Sequence, residues 1–287
     1  MTSRSDTAAA DVRADAPAVA GTRYARTAAA AAAVRRRRPL GLWRLEVLRV
    51  VRTKRWLLLF IAYPVLGSAG PIIVRHINSI LSALGADGVD VPTDLTADAA
   101  MTSYVGVSGQ IGLLVALGMC AAALAVDHRP GLAAFYRTRT CKPWQLVLPR
   151  WTVCAGAVCL ANLVASVIVW AEIRWLFGPV RTDLMLYGIF FSTIYLLMAL
   201  SLVAGAAAFL RRPVALFGTA LIALIVSPLP RLWKPLRGWS PDKLSSVEIG
   251  LLDGHEPGSY AGPAAVALMI TGTLLGLSVW RIGRREM

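Results

Sequence analysis

Six long apolar runs divide this chain of 287 residues, and they limit its fold more than any other feature. They lie at about residues 56–74, 104–126, 151–171, 184–210, 214–229 and 261–280. A helix needs about 20 apolar residues to cross a bilayer core of about 30 Å, and its backbone groups are then bonded within the segment. Hydrophobic residues make up 56% of the chain and charged residues only 16%. The sequence therefore predicts an all-α integral membrane protein with six transmembrane helices, of which the fifth is short.

The residues before the first run predict an amphipathic helix that lies in the membrane interface. Between residues 39 and 55 one face is apolar and the other basic: Leu40, Trp43, Val47, Val50 and Val51 against Arg44, Arg49, Arg52 and Arg55. Arginines placed in this way would meet anionic lipid headgroups. Residues 1–38 form a basic Ala- and Arg-rich tail with few large apolar side chains, so we expect a disordered cytoplasmic segment.

The distribution of basic residues predicts the orientation in the membrane. Of the 30 Lys and Arg residues, 23 fall in segments that share a side with the N-terminal tail. Cytoplasmic segments of membrane proteins carry such an excess, which places both termini in the cytoplasm. The abundance of Ala and Arg is typical of a high-GC bacterial gene, so the predicted location is the bacterial plasma membrane, with multiple passes.

A basic segment between the second and third runs, DHRPGLAAFYRTRTCKPWQLVLPR from Asp127 to Arg150, predicts a short cytoplasmic helix. Pro130 suits its first turn because the missing N–H would have no partner there. Leu132, Phe135 and Tyr136 then share one face. These residues alone leave two interpretations open: a helix with aromatic anchors for a partner, or an ordinary basic loop on lipid headgroups.

Residues 231–260, between the fifth and sixth runs, predict an amphipathic segment at the outer interface. Trp233 and Trp239 are typical of the boundary between membrane and water. The run Ser240–Asp242 has the composition of a helix start and precedes a series of apolar residues.

The chain shows none of the common catalytic signatures. It contains no Gly-rich phosphate loop, no HExxH, no nucleophile elbow and no pair of intramembrane carboxylates. We therefore predict no catalytic, cofactor-binding or metal-ligating residue and no enzymatic activity. Charged residues are absent from the middle of all six runs, which disfavours coupling to protons or sodium. Any energy for work must come from elsewhere.

The order of these parts resembles the permease of a type-2 ATP-binding-cassette (ABC) exporter over residues 39–287. The shared parts are the N-terminal amphipathic helix, six spans, the helical loop after span two and the segment before span six. Within Ala125–Pro149, Asp127 precedes PGLAAFYRTR, and Pro143–Pro149 is similar to the family's entry into span three. Many members carry an acidic-rich signature in this loop, where this chain has Pro130-Gly131-Leu132.

The resemblance implies a permease domain that pairs with a second permease copy and docks a separate ABC ATPase subunit. That subunit, and not this chain, would bind ATP and Mg. The coupling helix would contact it through Pro130, Gly131, Leu132, Phe135, Tyr136, Arg137 and Arg139. A second contact would come from Trp43, Arg44, Val47 and Arg52. Membrane lipid is the other expected partner, and nucleic acid is not expected.

The cargo would then pass along spans one, two and five, whose few polar residues include Ser108, Gln110 and Thr219. Because the rest of these spans is apolar, a lipophilic or amphipathic substrate is favoured. Two rivals remain open: a non-transporting membrane partner or anchor and, with less support, a membrane-embedded enzyme. The enzyme would need titratable residues converging from several spans, and the sequence offers none.

Overall fold

The computed structural model describes residues 40–84, 96–125 and 142–284, so the predicted disordered tail lies outside the described residues. Within these ranges every regular element is a helix. Six helical stretches there are long and apolar enough to cross a membrane, and they are called spans one to six: Trp56–Ala83, Ala97–Leu124, Trp144–Phe177, Thr182–Ala207, Pro213–Leu232 and Pro257–Arg284. The predicted all-helical fold, with six helices long and apolar enough to cross a membrane, is confirmed for the described residues.

Several spans are longer than the apolar runs that predicted them. Span one continues past Val74 to Ala83, and its 28 residues extend about 42 Å at about 1.5 Å per residue. Residues 75–83 are mostly exposed and include several polar side chains. Span five consists of the α-helix Pro213–Val226, the two residues that follow it and a 3₁₀ turn at Leu229–Leu232, which together give it a full 20 residues. Apolar patterning marks the part of a helix that faces lipid, and a helix can continue into water beyond it.

One end of the bundle gathers the start of span three, the turn between spans four and five, and the end of span six. Gly283 of span six packs against Pro143, which precedes span three. The Arg281 guanidinium lies 4.3 Å from the centre of the Phe209 ring in the turn after span four. The helix Leu40–Arg52, called the leading helix, joins this end through an ion pair described below.

Charge differs sharply between the two ends of the bundle. Within the described ranges the end just defined, called the basic end, has eleven basic residues and a single acidic one, Glu46: Arg44, Arg49, Arg52, Lys54, Arg55, Lys142, Arg150, Arg211, Arg212, Arg281 and Arg284. The opposite end has seven basic residues in those ranges, balanced by seven acidic ones: Asp98, Glu172, Asp183, Asp242, Glu248, Asp253 and Glu256.

Residues 227–260, called the return segment, fold back over the opposite end and include the last residues of span five and the first of span six. A 3₁₀ helix at Pro241–Ser246 leads directly into the α-helix Val247–Leu252. Leu244, Val247 and Leu251 are buried against the bundle, where this part of the chain packs on span four, span six and the first part of span two. The apolar residues of this amphipathic pattern are therefore the ones that pack the return segment onto the bundle.

Spans one, two and three pack closely through small residues that face aromatic rings. Span two contains a π-helical turn at Ser108–Gly112, which the sequence did not predict. Gly112 closes this turn, and a Cβ there would lie 2.6 Å from Cζ of the buried Tyr63. The Tyr104 hydroxyl of span two forms a buried hydrogen bond of 3.0 Å with the Ser166 hydroxyl of span three. The absence of a side chain at Gly112 is thus what allows spans one and two to meet.

This packing predicts that Gly112→Ala destabilises the protein. The new methyl group would overlap the Tyr63 ring, and over-packing of this kind costs about 1–3 kcal/mol. Gly118→Ala in the same span is the matched control, because a Cβ there meets nothing within 4 Å. Thermal unfolding of the detergent-solubilised protein should show a lower midpoint for Gly112→Ala alone. Equal midpoints for the two variants would contradict the packing described.

Candidate functional site

The residues predicted to contact an ATPase lie outside the described residues. Pro130, Gly131, Leu132, Phe135, Tyr136, Arg137 and Arg139 all fall between Ala125, where one described range ends, and Lys142, where the next begins. Both flanks of this gap belong to the basic end. Ala123 of span two and Arg150 of span three line one crevice there. The structure therefore defines the base to which the predicted coupling helix is attached.

A buried ion pair joins the leading helix to span three at this base. Arg150 donates from Nε to Oε1 of Glu46 at 3.0 Å. The side chains of Arg150 and Glu46 are only 2% and 6% exposed. Arg49 also donates, from Nη1 to the second oxygen of Glu46 at 3.4 Å. The carboxylate is thus held between two guanidinium groups that belong to different helices.

The helical repeat of each element explains how these side chains meet. In the leading helix Glu46 lies three residues after Trp43 and three before Arg49, so the three share the side that is turned toward the bundle. Arg150 follows Pro149 near the start of span three, where Met119 of span two also borders the crevice. The crevice has a volume of about 20 Å³, room for about one water molecule.

The free energy of this pair depends on both partners being present. Taking two charges out of water costs several kcal/mol each, and their attraction offsets this only when the geometry is good. If one partner is removed, the other is left as an uncompensated buried charge, at a cost of about 3–5 kcal/mol. The leading helix and span three are therefore tied by a contact that neither partner can lose without this cost.

The structure divides the residues predicted as a second partner contact. Arg44, Val47 and Arg52 are exposed, whereas Trp43 is half-buried. Arg49, which the sequence placed on the wet basic face, instead lies half-buried against Glu46. The exposed side of the leading helix also carries apolar residues: Leu45, Leu48 and Val51. Basic and apolar side chains alternate on this outward surface.

Two of the residues predicted along a cargo path are exposed on the surface of the bundle. Gln110 belongs to the π-helical turn near the middle of span two, and Thr219 lies in span five. Spans two and five pack against each other. Ser108 begins the same turn as Gln110, and its side chain is outside the description. One copy of the chain therefore presents Gln110 and Thr219 outward and does not bring them into its core.

No cluster of metal-ligating residues is found in the described ranges. No group of three or more His, Cys, Asp or Glu side chains is arranged there to hold a metal ion. Cys120 and Cys154 are buried, Cys159 is half-buried, and all three are free thiols.

Sequence reasoning missed the central ion pair, although a signal for it exists. Glu46 is the only acidic residue between Asp15 and Asp87, and it lies in a helix that is otherwise basic or apolar. A single acidic residue in such a helix indicates a basic partner, because a buried charge is costly unless it is paired. Arg150 carries no comparable signal in the sequence, because many other basic residues also lie beside predicted spans.

A second buried carboxylate, Glu248, lies in the return segment. Its side chain packs against Gly188 of span four and interacts with the Ser192 hydroxyl. With Arg181 and Trp170 it borders a crevice of about 20 Å³. Burial raises the pKa of Glu248 to about 7, while the hydrogen bonds to its own backbone N–H and to Ser192 oppose the rise. This carboxylate therefore gains a proton near neutral pH.

Comparison with known proteins adds no relative. No known protein family, curated protein or solved structure matches the chain. The functional assignment depends on the sequence and the geometry alone.

The ion pair predicts a large loss of stability in Glu46→Gln. The amide keeps the shape but leaves Arg150 buried without its counter-charge, so we expect a loss on the order of 3 kcal/mol, measured by thermal unfolding in detergent. Arg52→Gln, an exposed change on the same helix, is the control and should leave the midpoint unchanged. The double variant Glu46→Gln with Arg150→Gln should recover part of the loss. If Glu46→Gln were no worse than the control, the pair would not hold the leading helix.

Glu248 predicts a pH-dependent stability. Because its pKa is about 7 in the folded protein and 4.5 in the unfolded reference, the folded state binds the proton more tightly. The stabilisation is complete below about pH 4.5 and is lost as the pH rises through 7, with an amplitude on the order of 1–3 kcal/mol. Glu248→Gln should flatten the melting midpoint between pH 5 and 8, and Glu256→Gln, an exposed change in the same segment, should not. An unchanged profile in Glu248→Gln would show that another group is responsible.

Proposed function

We propose that this chain is the membrane-spanning permease subunit of an ATP-driven ABC exporter. The observation that carries the proposal is the Glu46–Arg150 ion pair, which joins the leading helix and span three beside the segment predicted to contact an ATPase. In this arrangement the proposed coupling helix at residues 131–139 is attached to a part of the bundle that the ion pair holds together. The chain itself is not an enzyme in this proposal, since ATP and Mg would be bound by the separate ATPase subunit.

In this proposal the ion pair helps to transmit force from the ATPase to the spans. ATP-driven closure of a partner can move the spans only through stiff contacts, because flexible contacts would absorb the displacement. Span three begins at Trp144, and Arg150 lies in its second turn. A push on the preceding segment would therefore act on span three and, through Glu46, on the leading helix together. The exposed Arg44, Val47 and Arg52 would form the second contact with the ATPase.

The absence of an internal source of energy supports an external one. The sequence contains no phosphate loop, and the charged residues of the six spans lie toward their ends. A buried charge at the centre of the bilayer is typical of ion-coupled transporters. With neither feature, work on a cargo would depend on a nucleotide-hydrolysing partner.

The exposed polar residues within the spans support a dimer and an amphipathic cargo. Gln110 lies near the middle of span two, where an amide facing hydrocarbon lacks the hydrogen bonds of water. A second copy of the permease, with cargo between the copies, would cover Gln110 and Thr219. Because their neighbourhood is otherwise apolar, the proposed cargo is lipophilic or amphipathic.

The contrast in charge between the two ends supports an orientation. The basic end, with eleven basic residues and one acidic residue in the described ranges, would face the cytoplasm of a bacterial cell. The opposite end, where charges balance, would face outward. This places the coupling segment on the side where ATP is available.

The proposal predicts that Phe135→Ala with Tyr136→Ala uncouples the transporter. These aromatic side chains would anchor the coupling helix in the ATPase, and removal of two such anchors should reduce binding at least tenfold. The chain would be co-expressed with a candidate ABC ATPase subunit from the same organism, co-purified and reconstituted, and its stimulation of ATP hydrolysis measured. Thr140→Ala, in the same segment but outside the predicted contact, is the control and should keep full stimulation.

Each rival makes a different prediction in this experiment. A non-transporting anchor would bring down no ABC ATPase. A membrane-embedded enzyme would keep its activity without ATP. Unchanged complex formation and ATP hydrolysis in the double variant would disprove the coupling assignment.

A further inference from the structure

The return segment forms an open groove at the opposite end that the proposed function does not use. Its volume is about 630 Å³, within the range of about 300–1,000 Å³ typical of ligand sites. Its walls combine basic and apolar side chains, among them Arg231, Arg237, Lys243, Leu232, Ile249 and Tyr260. Asp253 and His255 lie at the same groove.

The basic residues of the groove are not all neutralised by carboxylates. Arg231 is paired with Asp242 at 2.7 Å. Arg237 donates from Nε only to the backbone carbonyl of Arg231, at 3.4 Å. Within the described ranges no carboxylate lies within ion-pair distance of Arg237 or Lys243. With Asp253 as the one acid on its wall, the groove favours an anion.

The residues that lead into the groove are apolar and aromatic, yet they are exposed. Every residue from 232 to 239 is exposed, including Leu232 at 80%, Trp233 at 71% and Trp239 at 56%. Large apolar side chains in this number are costly in water and stable beside acyl chains. Trp and Leu interspersed with Lys and Arg are typical of chains that lie at the level of lipid headgroups.

We infer that this groove binds an anionic phospholipid of the surrounding membrane. Arg237 and Lys243 would hold the phosphate-bearing headgroup, and Arg231 would contribute from its pair with Asp242. Leu232 and Trp233 would pack along the acyl chains. A soluble anion would use the basic residues but leave these apolar side chains in water. The inference needs only a membrane around the chain and does not depend on an ATPase.

Native mass spectrometry of the full chain, purified in detergent and titrated with phosphatidylglycerol or phosphatidylcholine of matched acyl chains, tests the inference. The wild type should bind phosphatidylglycerol more tightly. Because each basic group near an anionic lipid contributes about 1 kcal/mol, Arg237→Gln with Lys243→Gln should weaken that binding about 10- to 30-fold. Binding of phosphatidylcholine should not change.

Two variants separate the groove from general charge and from misfolding. Arg75→Gln with Arg174→Gln removes two exposed basic residues of the same end that do not line the groove, and it should keep the wild-type affinity. Arg237→Lys with Lys243→Arg preserves the charges and should retain binding. Equal weakening in the Arg75 and Arg174 variant, or equal affinity for the two lipids, would overturn the inference. So would equally tight binding of soluble glycerol phosphate or polyglutamate, which would point to a free anion or an acidic protein.

Discussion

At the basic end a carboxylate and a guanidinium are both buried, and neither can lose its partner without leaving an unpaired buried charge. The arrangement of this end depends on that ion pair. The leading helix buries little apolar surface, because Leu45, Val47 and Leu48 face outward. The buried contact that ties it to the bundle is the charge-assisted hydrogen bond from Arg150 to Glu46. Breaking such a pair by removing one partner is costly, because the other partner stays behind as an uncompensated buried charge. The result is a defined platform beside residues 126–141.

At the opposite end, other contacts hold the return segment on the bundle. Leu244, Val247 and Leu251 bury the return segment against span four, and the buried carboxylate Glu248 faces a serine hydroxyl of that span. A carboxylate buried in this way shifts its protonation equilibrium toward the neutral acid. The buried polar groups of the two ends therefore differ. An ion pair links the leading helix to span three at the basic end, whereas apolar burial, the Arg231–Asp242 pair and a titratable carboxylate occur in the return segment.

The sequence predicted the parts of this fold that depend on lipid, and it missed those that depend on tertiary contacts. Apolar length identifies all six spans, since no other segment can satisfy its backbone in a bilayer. It does not show that span one continues to Ala83, or that span two contains a π-helical turn at Ser108–Gly112, because neither changes the apolar pattern. The Glu46–Arg150 pair joins residues 104 positions apart, a distance beyond any periodicity argument. The predicted coupling residues stay predictions, since they lie between the described ranges.

In the proposed transporter, the π-helical turn gives span two a place to bend. Spans one and three pack along each other, and Arg150 links span three to the leading helix. A displacement at residues 126–141 would therefore move these helices together. Span two leaves the same segment but is interrupted near its middle, where the wider turn weakens the regular hydrogen bonding of an α-helix. Gln110 lies in that turn. A bend there would change the exposure of Gln110, the polar group that the proposal places against cargo, without any charge moving through the membrane.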